Sequence, residues 1–398
     1  MMTNLLPSAR LGHVAATRKT GDAATRVLTK QDFAAARGEI TLWEGYAPTP
    51  LVSLCALATR IGVGEVLYKD EGPRFGLGSF KALGGSYAAQ RVLQREVARR
   101  TGKDISLEDI RLGRYKAECA AITLVSATDG NHGRSLAWGC QRFGAPCRIY
   151  IHAEVSEGRA QAMRDLGAEV IRIEGDYDDS VALAKSEAEE NGWFVVSDTS
   201  WPGYSQPPRD VMSGYGVMTE EICEALDRAP THVFLQGGVG GLAAGVIAGL
   251  RQYWGADAPR VIIVEPELAA CLFESAKAGT ATRVAIDEET LMAGLSCGEP
   301  SELAWEILAE EASDFLAIPE TIVGPSVRLL AQPLGDDPAV EAGESAIAGL
   351  AALIAARQDV DLAAKLGLDA GSRVLLIGSE GVTDPAIFKM IMEGRDAA

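Results

Sequence analysis

The sequence predicts an α/β protein of two domains, each a twisted, mostly parallel sheet flanked by helices. From residue 121 onward, short β-branched runs alternate with segments of helical periodicity, the pattern of parallel strands joined by crossover helices. A second series of the same kind begins at His232, and Pro207-Pro208 marks the seam before it. The 398 residues, 47% of them hydrophobic and 43 of them glycine, are enough for two cores of ordinary size.

Residues 1–40 are polar, basic at first and weakly periodic, and read as an N-terminal arm. YAPTPL at 46–51 leads into a helix containing 54–61, and 66–69 is a short strand. A helix covers about 85–99, where AAQRVLQREVARR places apolar residues at helical spacing. Strands follow at 122–126, 147–151, 169–173 and 194–197, with helices at 133–143, through 164, and at 180–190. The second series has strands at 232–236 and 261–264 around a helix to 253. A helix at 344–357 and a strand at 373–377 close the chain. The larger domain is expected from 1–88 and 201–398, the smaller from 89–200.

Composition narrows the function. The net charge of −18 speaks against a phosphate-backbone binder, so no nucleic-acid partner is expected. No apolar signal core and no membrane-length apolar run is present, so no membrane partner and a cytoplasmic location are expected. Seven dispersed cysteines without a CxxC pair, and only four histidines, predict no metal site.

Five stretches carry chemistry. RFGLGSFKALGGSY at 74–87 sets Lys81 among glycines at 76, 78, 84 and 85, near the start of a predicted helix. Glycines allow positive φ and close approach of a flat group. A lysine there suits Schiff-base chemistry, since a desolvated amine stays nucleophilic; a surface lysine in a glycine-rich turn is the plain alternative. ATDGNHG at 127–133 stands between a strand and a helix, where free amides favour an anion. Asp129 or Asn131 would equally serve there as a simple cap.

Gln236-Gly237-Gly238-Val239-Gly240-Gly241 offers consecutive amides to a phosphate and lacks the GK[ST] ending of a triphosphate loop. Gly238 to Ala243 also satisfies GxGxx[G/A], and Glu265 ends the next strand where a ribose-binding acid would stand. An NAD-dependent dehydrogenase is therefore open at this point. The last two stretches are IGSEG at 377–381, with Ser379, and SDTSW at 197–201, with Asp198. Polar turns are the plain reading of both.

Together, SFKALGG, DGNHG and GGVGG resemble the pyridoxal-phosphate (PLP) enzymes of the tryptophan synthase β-like fold type. Within them, GLGSFKALGG resembles the diaminopropionate ammonia-lyases, over about residues 43–384. The resemblance implies PLP in the cleft between two domains, held by Lys81, Asn131, Gly237, Gly238, Val239, Gly240, Gly241 and Ser379. Asn131 would donate to the phenolic oxygen, and Ser379 would meet the pyridine nitrogen. A neutral hydroxyl there makes the ring a weaker electron sink than a carboxylate would, which suits prompt loss of a β-leaving group.

The resemblance also implies that Lys81 and Asp129 act as bases for the L- and D-isomers of 2,3-diaminopropionate. Asp198 would assist and hold the β-ammonium, and pyruvate and ammonia would be the products. Relatives acting on serine or threonine carry a small neutral residue where Asp129 stands. Cys271 and Cys297 sit at family-like positions and could meet in the fold, or be two unrelated reduced thiols. A small amino-acid substrate and a homodimer are expected. The rivals are a serine/threonine dehydratase or β-replacement synthase of the same fold, the NAD enzyme, and a non-catalytic amino-acid binder.

Overall fold

Residues 5–16, 21–128, 130–175 and 177–395 are described in a computed structural model, which divides into two compact units. The first comprises Met1–Thr29, Pro48–Ser79 and Met218–Ala398. Its seven-stranded sheet runs Gly12–Ala15, Asp314–Ile318, Arg260–Pro266, His232–Gln236, Arg373–Gly378, Glu65–Asp70, Leu51–Ser53. Only the two edge pairings are antiparallel; the inner four are parallel. The Ala348–Gln358 helix is buried from Ala348 to Ala356, which explains why its sequence is apolar on every face.

Three neighbouring parallel strands, His232–Gln236, Arg373–Gly378 and Glu65–Asp70, release their following loops at one carboxyl edge of this sheet. Ligands of open α/β sheets bind at that edge. Beneath the third loop lies a buried cluster of two cations and two anions. Lys69 Nζ is 2.6 Å from Glu221 Oε2, and the Arg74 guanidinium forks onto Glu71 at 2.7 and 2.8 Å and onto Glu221 at 2.8 Å. Thr49 Oγ1 donates to Glu71 at 2.5 Å. The formal charges cancel, as full burial requires.

The second unit comprises Lys30–Ala47 and Phe80–Val217, wider at both ends than 89–200. Its sheet is all parallel, in the order Glu169–Arg172, Cys147–Ile151, Leu124–Ala127, Phe194–Val195. The Lys81–Thr101 helix packs on the Asn131–Phe143 helix through small residues. A Cβ on Gly85 would lie 2.7 Å from Ser135 Oγ, and one on Gly139 would lie 2.8 Å from the Ser86 Cα.

Three expectations change. Residues 1–40 are not only an arm: Gly12–Ala15 is an edge strand, and Lys30–Ile40 is a helix that buries Phe33, Ala36 and Ile40. Pro207-Pro208 is not a seam but the first turn of the Gln206–Ala225 helix, where a missing amide costs nothing. The division between units falls inside that helix, at Val217 and Met218.

Candidate active site

In the second unit, Lys81 is the first residue of its helix, four residues earlier than the periodicity predicts. Its Nζ donates to Asp198 Oδ2 at 2.5 Å, with both side chains partly accessible. Asp198 follows the Phe194–Val195 strand in a loop fixed by Tyr204, whose hydroxyl accepts from the Ser197 amide at 3.0 Å and donates to the Val195 carbonyl at 2.9 Å. Burial pushes the Asp198 carboxyl up, but the charge and hydrogen bond of Lys81, with the His132 ring beside it, outweigh that and hold the group well below the usual carboxylate range.

His132, to which the sequence reading gave no role, completes this cluster. Its Nε2 donates to the Val196 carbonyl at 2.8 Å, so that nitrogen carries a proton. Its buried Nδ1 has no hydrogen-bond partner among the described residues and lies 3.9 Å from Asp198 Oδ2. Burial lowers its pKa further than Asp198 raises it, so the ring is neutral with a lone pair on Nδ1. The histidine of DGNHG was the available signal. Tyr215 is a second residue the sequence reading passed over: its ring lies 4.6 Å from that of Phe80, and it responds to the charges of both Lys81 and Asp198.

The DGNHG loop joins the Leu124–Ala127 strand to the Asn131–Phe143 helix, beside the strand that leads to Asp198. The cap residue is Gly130, without a side-chain cap, so Asn131 is not serving as the cap. Asp129 lies outside the described residues. The glycines around Lys81 divide by purpose. Gly76 and Gly78 take positive φ, 69° and 82°, next to Phe75 at φ 50°, a strained value for a side chain of that bulk. Gly84 and Gly85 lie inside the helix and serve packing rather than a flat ligand: a Cβ on Gly84 would fall 2.4 Å from Tyr215.

In the first unit, the 237–241 loop links the His232–Gln236 strand to the Gly241–Trp254 helix. Gly238 and Gly240 take φ of 59° and 94°, which only glycine adopts readily. The carbonyls of Gly237, Gly238 and Val239 are occupied by Gly240 N, Cys271 Sγ and Ser301 N. Because N–H and C=O of one peptide point opposite ways, the amides of Gly238 and Val239 face away from these partners. With the first-turn amides of the helix, unpaired among the described residues, they suit a dianion; the amides of Gly237 and Gly240, expected to share in this, are instead bound to the carbonyls of Val264 and Gly237.

Just past the adjacent Arg373–Gly378 strand, Ser379 stands at the same carboxyl edge, buried, its hydroxyl making no hydrogen bond to the described residues. It is free to meet a ring nitrogen. A phosphate cradle and a neutral hydroxyl at one edge fit the cofactor that the sequence led us to expect. Glu265 does not fit a ribose site: it is fully buried, accepts from the amides of Leu272 and Phe273 at 3.0 and 2.7 Å, and so caps the Cys271–Ala278 helix. Cys271 and Cys297 both approach Gly238, and neither is in a disulfide.

Comparison with known proteins agrees with this geometry. The family model described as pyridoxal-phosphate dependent enzyme matches residues 42–380. Diaminopropionate ammonia-lyase of Escherichia coli (strain K12) is 39% identical over 361 residues, covering 89% of each chain. The Salmonella typhimurium protein of that name is 37% identical over 363 residues, covering 88% of this chain and 90% of its own. A crystal structure of the E. coli enzyme in complex with an aminoacrylate-PLP azomethine reaction intermediate superposes with a TM-score of 0.87, at 35% identity over 98% of this chain and 99% of that one. A structure of that enzyme with D-serine gives a TM-score of 0.88 at 34% identity, with the same coverage. The chain belongs to the pyridoxal-phosphate dependent enzymes and, among them, to the diaminopropionate ammonia-lyases.

Proposed function

We propose that the protein eliminates ammonia from D- and L-2,3-diaminopropionate, yielding pyruvate and two molecules of ammonia per turnover with uptake of one water. The observation that carries this reading is the Lys81–Asp198–His132 cluster, an amine, a carboxylate and an imidazole lone pair within a few ångströms. Bound PLP supplies electron withdrawal, which makes the substrate's α-proton removable. Lys81 holds the cofactor and takes the α-proton of the L-isomer. Asp129 takes that of the D-isomer.

Asp198, ionised throughout the working pH range, binds the β-ammonium. The substrate carries one cation more than serine does, and a second carboxylate answers it. Asn131 holds the phenolic oxygen, the 237–241 loop the phosphate through the amides of Gly238, Val239 and Gly241, and Ser379 the pyridine nitrogen. A homodimer in the cytoplasm is part of the same reading; among the described residues no helix is long and apolar enough to cross a membrane.

Turnover of D- and L-2,3-diaminopropionate, serine and threonine by the purified enzyme tests the proposal. Diaminopropionate should release pyruvate and ammonia in a ratio of one to two and be the preferred substrate. Faster turnover of serine or threonine, at one to one, would move the assignment to a dehydratase. Borohydride should fix the pyridoxyl group on Lys81.

A further inference from the structure

Glu265 has no part in the reaction as proposed, yet it lies directly beneath the phosphate cradle. A Cβ on Gly237 would fall 2.3 Å from Glu265 Cγ, so the loop's first glycine rests on this side chain. The Cys271 thiol, 3.7 Å from Glu265 Oε1, holds the Gly238 carbonyl at 3.5 Å. Two further bonds tie the carboxyl to the amides of Leu272 and Phe273, so one group joins the loop to a neighbouring helix. It is fully buried, and among the described residues no lysine, arginine or histidine pairs with it.

An ionised carboxylate without a counter-cation is costly in such a place, more so beside a loop that receives a dianion. We propose that Glu265 is a positioning residue for the cofactor's phosphate, that it supports the 237–241 loop as the neutral acid, and that its ionisation weakens cofactor retention. The proposal rests on the PLP reading. The titratable groups facing it are Cys271 and Glu274 of the Cys271–Ala278 helix, with Cys297 behind Cys271. Burial lifts the Glu265 carboxyl to about 8, against the pull of the two amides and the thiol, with Glu274 adding to the rise. Above that pH the loop's floor becomes negative and repels phosphate. By reciprocity, phosphate binding draws a proton onto Glu265.

The test uses pyridoxamine 5′-phosphate, which carries the phosphate but forms no bond to lysine. Its second phosphate proton is lost near pH 6, so the phosphate remains a dianion across the window that matters, and titration of the ligand's ring nitrogen falls equally on wild type and variant. Its Kd for the full-chain enzyme freed of cofactor is measured by equilibrium dialysis from about pH 7 to about pH 9.5, together with proton uptake on binding. The wild type should bind roughly thirtyfold more weakly at the upper limit and take up a proton there. Glu265→Gln should change less than about twofold over the same range. A loop support indifferent to charge would give both proteins the same profile. A flat wild-type Kd, or an equal slope in Glu265→Gln, overturns the proposal; should that variant fail to fold, the wild-type profile and proton uptake still decide. No binding at about pH 7 would sink the cofactor reading along with it.

Discussion

Lys81 and Asp198 form an ion pair, and substitutions test the separate tasks proposed for its two members. Lys81→Ala should abolish turnover of both isomers and release the cofactor on gel filtration. Retained, borohydride-fixable cofactor in that variant would place the Schiff base elsewhere. Asp129→Asn should slow turnover of the D-isomer by on the order of 10²–10⁴, the usual contribution of a general base, and leave most of the L-isomer's rate. Equal rates for both isomers would return Asp129 to the status of a polar loop residue. Asp198→Asn differs from both. It removes the counter-charge from Lys81 and the anion facing His132, so both isomers should lose binding, seen as a raised KM.

Among the helices, identical substitutions should have opposite signs, because the space around each glycine differs. Gly38 lies exposed in the Lys30–Ile40 helix, with nothing within 4 Å of an added Cβ. Gly38→Ala should stabilise by about 0.5–1 kcal/mol through the lost freedom of the unfolded chain. Gly84→Ala gains as much in propensity but drives a methyl to 2.4 Å from Tyr215 and 2.8 Å from Val211. Overpacking of that kind costs roughly 1–3 kcal/mol, so the variant should unfold at lower urea. A Gly84→Ala protein as stable as its parent would show that the Lys81 helix can shift.

At this scale the sequence was informative where an element is buried on both faces. The strands Cys147–Ile151 and His232–Gln236 were read to the residue, because short runs rich in β-branched, aromatic and other apolar residues between turns admit little else. Gly12–Ala15 and Leu51–Ser53 were missed: edge strands of three or four residues carry no alternation to detect. Asp314–Ile318 was missed because it opens on a charge. Asp314 is fully buried only because Arg260 and His13, supplied by its two neighbouring strands, meet it at 2.7 and 2.9 Å. No local pattern reports partners fifty and three hundred residues away. The site followed the same rule: Lys81, Ser379 and the 237–241 loop announced themselves through glycine context. His132 and Tyr215 take their meaning only from Asp198 and Lys81.

For the molecule as a whole, stability should depend on acidity and on salt through two different sets of charges. The net charge of −18 lies mostly on the surface, and its self-repulsion weakens as salt shortens the Debye length from about 30 Å at 0.01 M to about 8 Å at 0.15 M. The cluster of Lys69, Glu71, Arg74, Glu221 and Thr49 is buried, so salt should leave it nearly untouched. Burial raises the pKa of Glu221, but Arg74 and Lys69 outweigh it, and the folded value lies below the ordinary 4.5. The unfolded chain then binds the proton more readily than the folded one. The contribution of Glu221 is therefore complete above the unfolded pKa and is lost as pH falls through the folded value. Glu221→Gln leaves two buried cations facing one carboxylate, a loss of roughly 3–5 kcal/mol at neutral pH. Urea unfolding of both proteins should show that gap at pH 7, see it shrink below about pH 4, and find it unchanged between low and moderate salt. A gap that persists to pH 3 would mean that Glu221 is not ionised in the folded protein, and one that closes with salt would place its partners at the surface.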